Sequence, residues 1–151
     1  EIAARGIAVT PTLRQVELFA DFAEQAGSKY PVYAATMRAM FEERRDHFQM
    51  LIDAGVLLLQ GTDSGGYQQH GSIAGELALW SSWGASPQLI IDASTWVSDR
   101  DLTGEGLAGP GLVEGGEGDL IVLDEDPRID PVALARPSAV YVGGERAWVR
   151  P

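Results

Sequence analysis

The chain has 151 residues, of which 45% are apolar, enough for the core of one ordinary domain and too many for a disordered segment. Eleven Lys and Arg against 22 Asp and Glu give a formal charge of −11, which disfavours a backbone polyanion such as nucleic acid as a partner. With no cysteine there can be no disulfide and no thiolate metal ligand, so any metal must be held by oxygen or imidazole, and a reducing, cytoplasmic setting is expected.

No apolar run approaches the roughly 20 residues needed to span a bilayer, and the longest comparable one, residues 55–59, is strand-sized. No membrane partner is therefore expected. The first residues, Glu1-Ile2-Ala3-Ala4-Arg5-Gly6, lack an initiator Met and a signal-peptide layout. They read as a last helical turn closed by glycine, so the chain is expected to begin inside a longer protein.

Residues 7–9 are β-prone and stop at Thr10-Pro11, where proline cannot continue a ladder. Over residues 14–26, Val16, Phe19, Ala20, Ala23 and Ala26 recur at helical spacing, with Gly27 as the stop. Tyr30-Pro31 interrupts the chain before a second, longer helical face carrying Met37, Met40, Phe41, Phe48, Leu51 and Ile52. Val56-Leu57-Leu58-Leu59 then runs apolar without alternation, as expected of a parallel strand covered on both faces.

After a loop over residues 61–71, Ser72 is placed to cap a helix bearing Ile73, Leu77 and Trp80, and Ser86-Pro87 to open another. The composition changes at about Ser98: glycines cluster between Gly104 and Gly144, and strands are expected over 120–123, 139–142 and 147–149. The last two flank Gly143-Gly144-Glu145-Arg146, which suits a hairpin. The expected organisation is an α/β part over residues 1–100 followed by a small β part over 101–151.

The chemistry-bearing segment is Gly55-Val56-Leu57-Leu58-Leu59-Gln60-Gly61-Thr62-Asp63-Ser64-Gly65-Gly66. It ends a buried strand in a carboxylate with glycines around it, and the C-terminal strand ends of parallel α/β folds form the active-site face. Asp63 stands where a ligand or proton acceptor would stand. An Asx turn with no function would leave the same composition, so from these residues both readings are open.

The order of elements resembles the end of the amidohydrolase superfamily, in its imidazolonepropionase and prolidase-like group. The resemblance is carried by Gly-Thr-Asp at 61–63, His70-Gly71, Glu76-Leu77 and Gly84-Ala85-Ser86-Pro87. It continues through Gly109-Pro110-Gly111-Leu112-Val113-Glu114-Gly115-Gly116-Glu117-Gly118-Asp119-Leu120-Ile121-Val122-Leu123-Asp124, Asp126-Pro127 and Ala139-Val140-Tyr141-Val142-Gly143-Gly144.

This resemblance implies the C-terminal part of a (β/α)₈ barrel, strands 7 and 8 with their helices, plus strands of a small composite β domain. It implies a hydrolase acting on carbon–nitrogen bonds of amide, cyclic amide or peptide-like substrates through water activated by a divalent metal, zinc above all. Asp63 matches the family aspartate that binds metal and moves a proton, and His70 matches a histidine that lines the substrate pocket. The partners implied are a small-molecule substrate and the missing N-terminal part of the barrel.

The family's other metal ligands, a His-x-His pair, a lysine or glutamate and two single histidines, would precede Glu1. The fragment alone is therefore expected to be inactive. Gly118-Asp119 replaces the family's Ala-Asp, which reads as a minor change, and residues 101–109 carry an unusual glycine-rich stretch.

Other side chains draw blander readings. His47 lies among Arg45, Asp46 and Phe48 and reads as solvated or packing, Glu76 as support for its own loop, and Trp80, Trp83, Trp96 and Trp148 as packing. Asp63-Ser64-Gly65-Gly66 also echoes the nucleophile segment of trypsin-like proteases, but residues 14–54 are helical in pattern and supply no suitable base. One Asp-Ser-Gly cannot make an aspartic-protease dyad. The competing class is a non-catalytic truncated chain, or a subunit completed by a separate N-terminal polypeptide.

Overall fold

A computed structural model describes residues 1–26, 29–66, 68–104 and 111–151. Gly27 and the glycine-rich residues 105–110 lie outside them, so the helix stop expected at the first and the stretch expected around the second are not described. The chain divides into two compact units, Glu1–Ala85 and Ser86–Pro151. The architecture is α/β.

The first unit holds a 3-10 turn, Ala3–Arg5, and three helices: α1, Leu13–Gln25; α2, Pro31–Asp53; and α3, Ile73–Ser82. Proline opens α2, where its fixed φ suits the first helical position and no internal amide is lost. Leu13 and Ala23 of α1, Phe48 of α2, and Leu77 and Trp80 of α3 are buried together with Val56, Leu58 and Leu59. The rings of Phe48 and Trp80 meet edge to face at 5.0 Å, which aligns the positive edge of one with the negative face of the other.

Between the helices Val9 and Leu58 form a parallel bridge: the Val9 amide donates to the Leu57 carbonyl at 2.9 Å, and the Leu59 amide to the Val9 carbonyl at 3.0 Å. The parallel direction matches the expectation. The two strands expected over 7–9 and 56–59, however, reduce to this one bridged pair. Each segment has one neighbour among the described residues, and Pro11 removes the next amide on one side.

The second unit holds α4, Pro87–Ser94, and α5, Trp96–Thr103, followed by β1, Leu120–Val122, a 3-10 helix, Pro131–Ala135, β2, Ala139–Val142, and β3, Glu145–Val149. Ser86 caps α4 as expected, accepting from the Leu89 amide at 3.2 Å. Ile90 and Ala93 of α4 are buried, as are Pro131 and Ala133 of the 3-10 helix that packs against it. The strands form an antiparallel sheet in the order β1-β2-β3, with a bulge between Val140 and Tyr141.

Three local expectations need correction. Ser72 makes no side-chain cap bond to α3; its hydroxyl is turned back to donate to the Gln69 carbonyl. Helix α5 was not expected, because the glycine-rich composition beyond it masks Val97, which is buried, and Trp96, whose indole donates to Asp92 at 2.9 Å. Finally, β3 begins at Glu145, so the turn is Gly143-Gly144 alone.

Candidate functional site

Because the Val9 and Leu58 segments run parallel, their C-terminal ends, Thr10-Pro11-Thr12 and Gln60-Gly61-Thr62-Asp63, emerge on one side. They touch. A Cβ on Gly61 would lie 2.5 Å from the Thr10 methyl carbon, so only glycine fits there without displacing that side chain.

Asp63 follows directly and sits in left-handed backbone, φ 50. Aspartate tolerates this conformation better than most residues. The turn is held without its carboxylate: the Thr62 and Ser64 hydroxyls are 2.6 Å apart, the Ser64 amide donates to Thr62 Oγ1 at 3.3 Å, and the Gly65 amide to the Gln68 carbonyl at 3.0 Å. Among the described residues the Asp63 side chain itself makes no hydrogen bond and is exposed. The Asx-turn alternative therefore lacks its defining bond.

His70 is on the same loop. Its imidazole packs on Gly65, where a Cβ would be 3.5 Å from Cε1, and the residue is exposed. The structure thus brings His70 to the Asp63 loop without a direct bond between the two. His47 is exposed on α2 and lines a cleft of about 200 Å³ with Thr10, Pro11, Arg44 and Phe48. Among the described residues no three of His, Asp and Glu group closely enough to hold a metal ion. Asp63 is a single carboxylate, and a complete metal centre does not fit these residues.

Glu76 does more than the sequence suggested. It is fully buried, and its carboxylate accepts from the Leu13 amide at 2.8 Å, the Arg14 amide at 2.6 Å and the Trp80 indole at 2.9 Å. Two of these are the opening amides of α1, more than sixty residues earlier in the chain. Burial pushes its carboxyl above the ordinary glutamate range, while the amides of Arg14 and Leu13 and the Trp80 indole pull the other way. The signal was present in the sequence: Glu76 lies three residues from Ile73 and four from Trp80, on the apolar side of α3.

The fold has known counterparts. No family model matches the chain. Uncharacterized proteins of Mycobacterium bovis and Mycobacterium tuberculosis are 34% identical over 139 residues, which cover 92% of this chain and 36% of the relative. Among solved structures, a Xaa-Pro dipeptidase with methionine bound in its active site superposes with a TM-score of 0.79 at 21% identity, covering 99% of this chain and 36% of that one.

A prolidase complexed with N-methylphosphonate-L-proline gives 0.69 at 19% identity, over 95% and 35% of the two chains. The A. niger ochratoxinase gives 0.71 at 27% identity, over 96% and 32%. The chain thus spans about a third of the length of the relatives and structures it matches. Its resemblance to hydrolases is a resemblance of fold.

Proposed function

We propose that this chain supplies one wall of the active site of an amide-bond hydrolase of the amidohydrolase type, built on a (β/α)₈ barrel of which the Val9 and Leu58 segments are two strands. The observation that carries this is Asp63: a carboxylate with no hydrogen bond among the described residues, at the C-terminal end of a parallel pair, on a turn hydrogen-bonded through Thr62 and Ser64. Its neighbours in fold, a Xaa-Pro dipeptidase and a prolidase, support the direction of the reading.

In this reading Asp63 accepts the proton of the attacking water and returns it to the departing nitrogen, which needs an ionised carboxylate free of competing donors. His70, held against Gly65, faces the substrate. A divalent ion, zinc in the first instance, would polarise the carbonyl, held by Asp63 and by remaining ligands from outside the described residues, since the residues present do not complete its site. A cytoplasmic setting accompanies the reading, and no helix among the described residues is long and apolar enough to cross a membrane.

The test is a screen of the full-length protein against N-acyl amino acids and dipeptides, combined with metal analysis. Asp63→Asn is expected to lower kcat/KM by about 100-fold or more with thermal stability unchanged, since loss of a general acid–base group costs a factor of that order. Activity within twofold of wild type removes Asp63 from the reaction.

A second reading has one observation in its favour. The described residues hold no three-ligand group, and in this reading a separate complementing polypeptide supplies the rest of the site. Activity that appears only on mixing the two chains would select it.

A further inference from the structure

Helix α1 starts without a cap of its own. Thr12, its N-cap residue, is left-handed at φ 45 and makes no side-chain cap bond, and Pro11 before it is buried. The first two helical amides are satisfied instead from α3, by the carboxylate of Glu76. The three donors to that carboxylate are two amides and an indole, so a buried negative charge is balanced only by dipoles. An apolar side chain of similar size would leave the two amides and the indole without an acceptor, so the carboxylate is kept for what it holds in place.

What it holds is the pair of strand ends. On one side lies Thr10-Pro11-Thr12, which runs straight into the amides that Glu76 binds. On the other, α3 begins at the close of the Asp63 loop, and that loop is fastened to it: Gln68 Nε2 donates to the Ser72 carbonyl at 3.2 Å, and the Gly65 amide donates to Gln68. A second contact reinforces the join, since the Arg14 side chain packs so tightly on Gly75 of α3 that a Cβ there would lie 3.1 Å from it. The ends meet again directly at Gly61 and Thr10.

We propose that Glu76 is a positioning residue: as the remote N-cap of α1 it locks the Thr10–Thr12 segment to α3 and thereby fixes the turn that presents Asp63. Its part in catalysis rests on the hydrolase reading above; its part in geometry does not. Glu76 touches neither substrate nor reacting atoms and acts through the two loops.

The experiment is residue-resolved amide hydrogen exchange on the full-length protein, wild type against Glu76→Gln, with hydrolysis of an N-acyl amino acid measured in parallel. In Glu76→Gln one carboxylate oxygen becomes an amide donor, which faces either the Arg14 amide or the Leu13 amide and Trp80 indole, because those two share the other oxygen. Exchange is expected to rise tenfold or more at Leu13 or Arg14, whichever faces that donor, and to rise with it at Ser64 and Gly65, while the middle of α2 stays protected. kcat is expected to fall at least tenfold with KM within twofold.

If Leu13 and Arg14 stay protected, Glu76 is no cap. If they loosen while Ser64 and Gly65 do not, the cap positions nothing; if both loosen while kcat is unchanged, the lock has no part in catalysis. Should Glu76→Gln fail to fold, Trp80→Phe removes one of the three donors and is expected to loosen the same four amides to a smaller extent; unchanged exchange there overturns the proposal. A wild-type protein that hydrolyses no amide sinks the hydrolase reading, while the exchange at residues 64 and 65 still decides the lock.

Discussion

Glu76 makes a prediction of opposite sign to that of most acidic residues. A carboxyl paired with a cation titrates low and stabilises the fold at neutral pH, but Glu76 is buried against neutral donors and titrates high. The charges near it come from α1: Glu17, which raises its pKa further, and the Arg14 guanidinium, which is turned to Glu17. With its folded value above its unfolded one, the folded state binds more protons, so this group's contribution to stability is greatest at low pH. It declines as pH rises from about 4.3, the unfolded value, to the raised folded value, and is flat above that.

Denaturant unfolding of wild type and Glu76→Gln between pH 4 and 8 should therefore show a segment of negative slope just above pH 4.3 that the variant lacks. Identical slopes would mean that the carboxyl is not desolvated in the folded state. Asp126 supplies the contrast. Hydrogen bonds from the Arg128 side chain and amide hold its carboxyl down at about 2, so its stabilisation is present at neutral pH and is lost as pH falls through that value. Its exposed setting makes that contribution small.

Among the elements, the β2–β3 hairpin shows where one atom decides. Val142 pairs with Glu145 across Gly143 and Gly144, whose φ values of 59 and 78 are those of a type I′ turn that only glycine and a few polar residues adopt readily. Asp119 accepts from the Gly143 amide at 2.6 Å, and Gly118 lies under the turn with φ 79. A Cβ on Gly118 would sit 2.6 Å from the Gly144 amide nitrogen, which is backbone and cannot swing away. The glycine at position 118, which looks like a minor choice in the sequence, is therefore structural. Gly118→Ala should destabilise by about 1–3 kcal/mol from backbone strain alone. Gly66→Ala, facing open space without a positive φ, is the control expected to be neutral in thermal unfolding.

The same comparison shows what a sequence can reveal. The bounds of β2, the cap at Ser86 and the span of α1 follow from local periodicity and turn chemistry, and the structure matches them closely. The bonds of Glu76 to Leu13 and Arg14, the single bridge between Val9 and Leu58 and the demand at Gly118 depend on residues many positions apart, which local patterns do not encode. Asp63 was legible as a candidate because its strand and glycines are contiguous; its exposure and freedom from hydrogen bonds were not.

At the scale of the whole chain the conspicuous property is apolar surface without cover. Register places Ile121, Val140 and Trp148 in one row across the sheet, and Ile121 and Trp148 remain 39% and 45% exposed. Every residue of β3 is exposed, and β1 and β3 are both edge strands among the described residues. In the first unit the parallel pair is held by one bridge, so among the described residues each segment likewise keeps an unpaired edge. Unpaired edges flanked by apolar side chains are templates for association.

The net charge of −11 opposes association, but charge at a distance is screened within about 10 Å at ordinary salt, whereas apolar contact is not. The isolated 151-residue chain is therefore expected to self-associate in a concentration-dependent manner by sedimentation velocity, more strongly as salt is raised. Trp148→Glu with Ile121→Lys should shift it towards monomer by placing opposite charges at the two ends of that row. A chain that sediments as a monomer at all concentrations and unfolds in one sharp two-state transition would show that these faces need no partner.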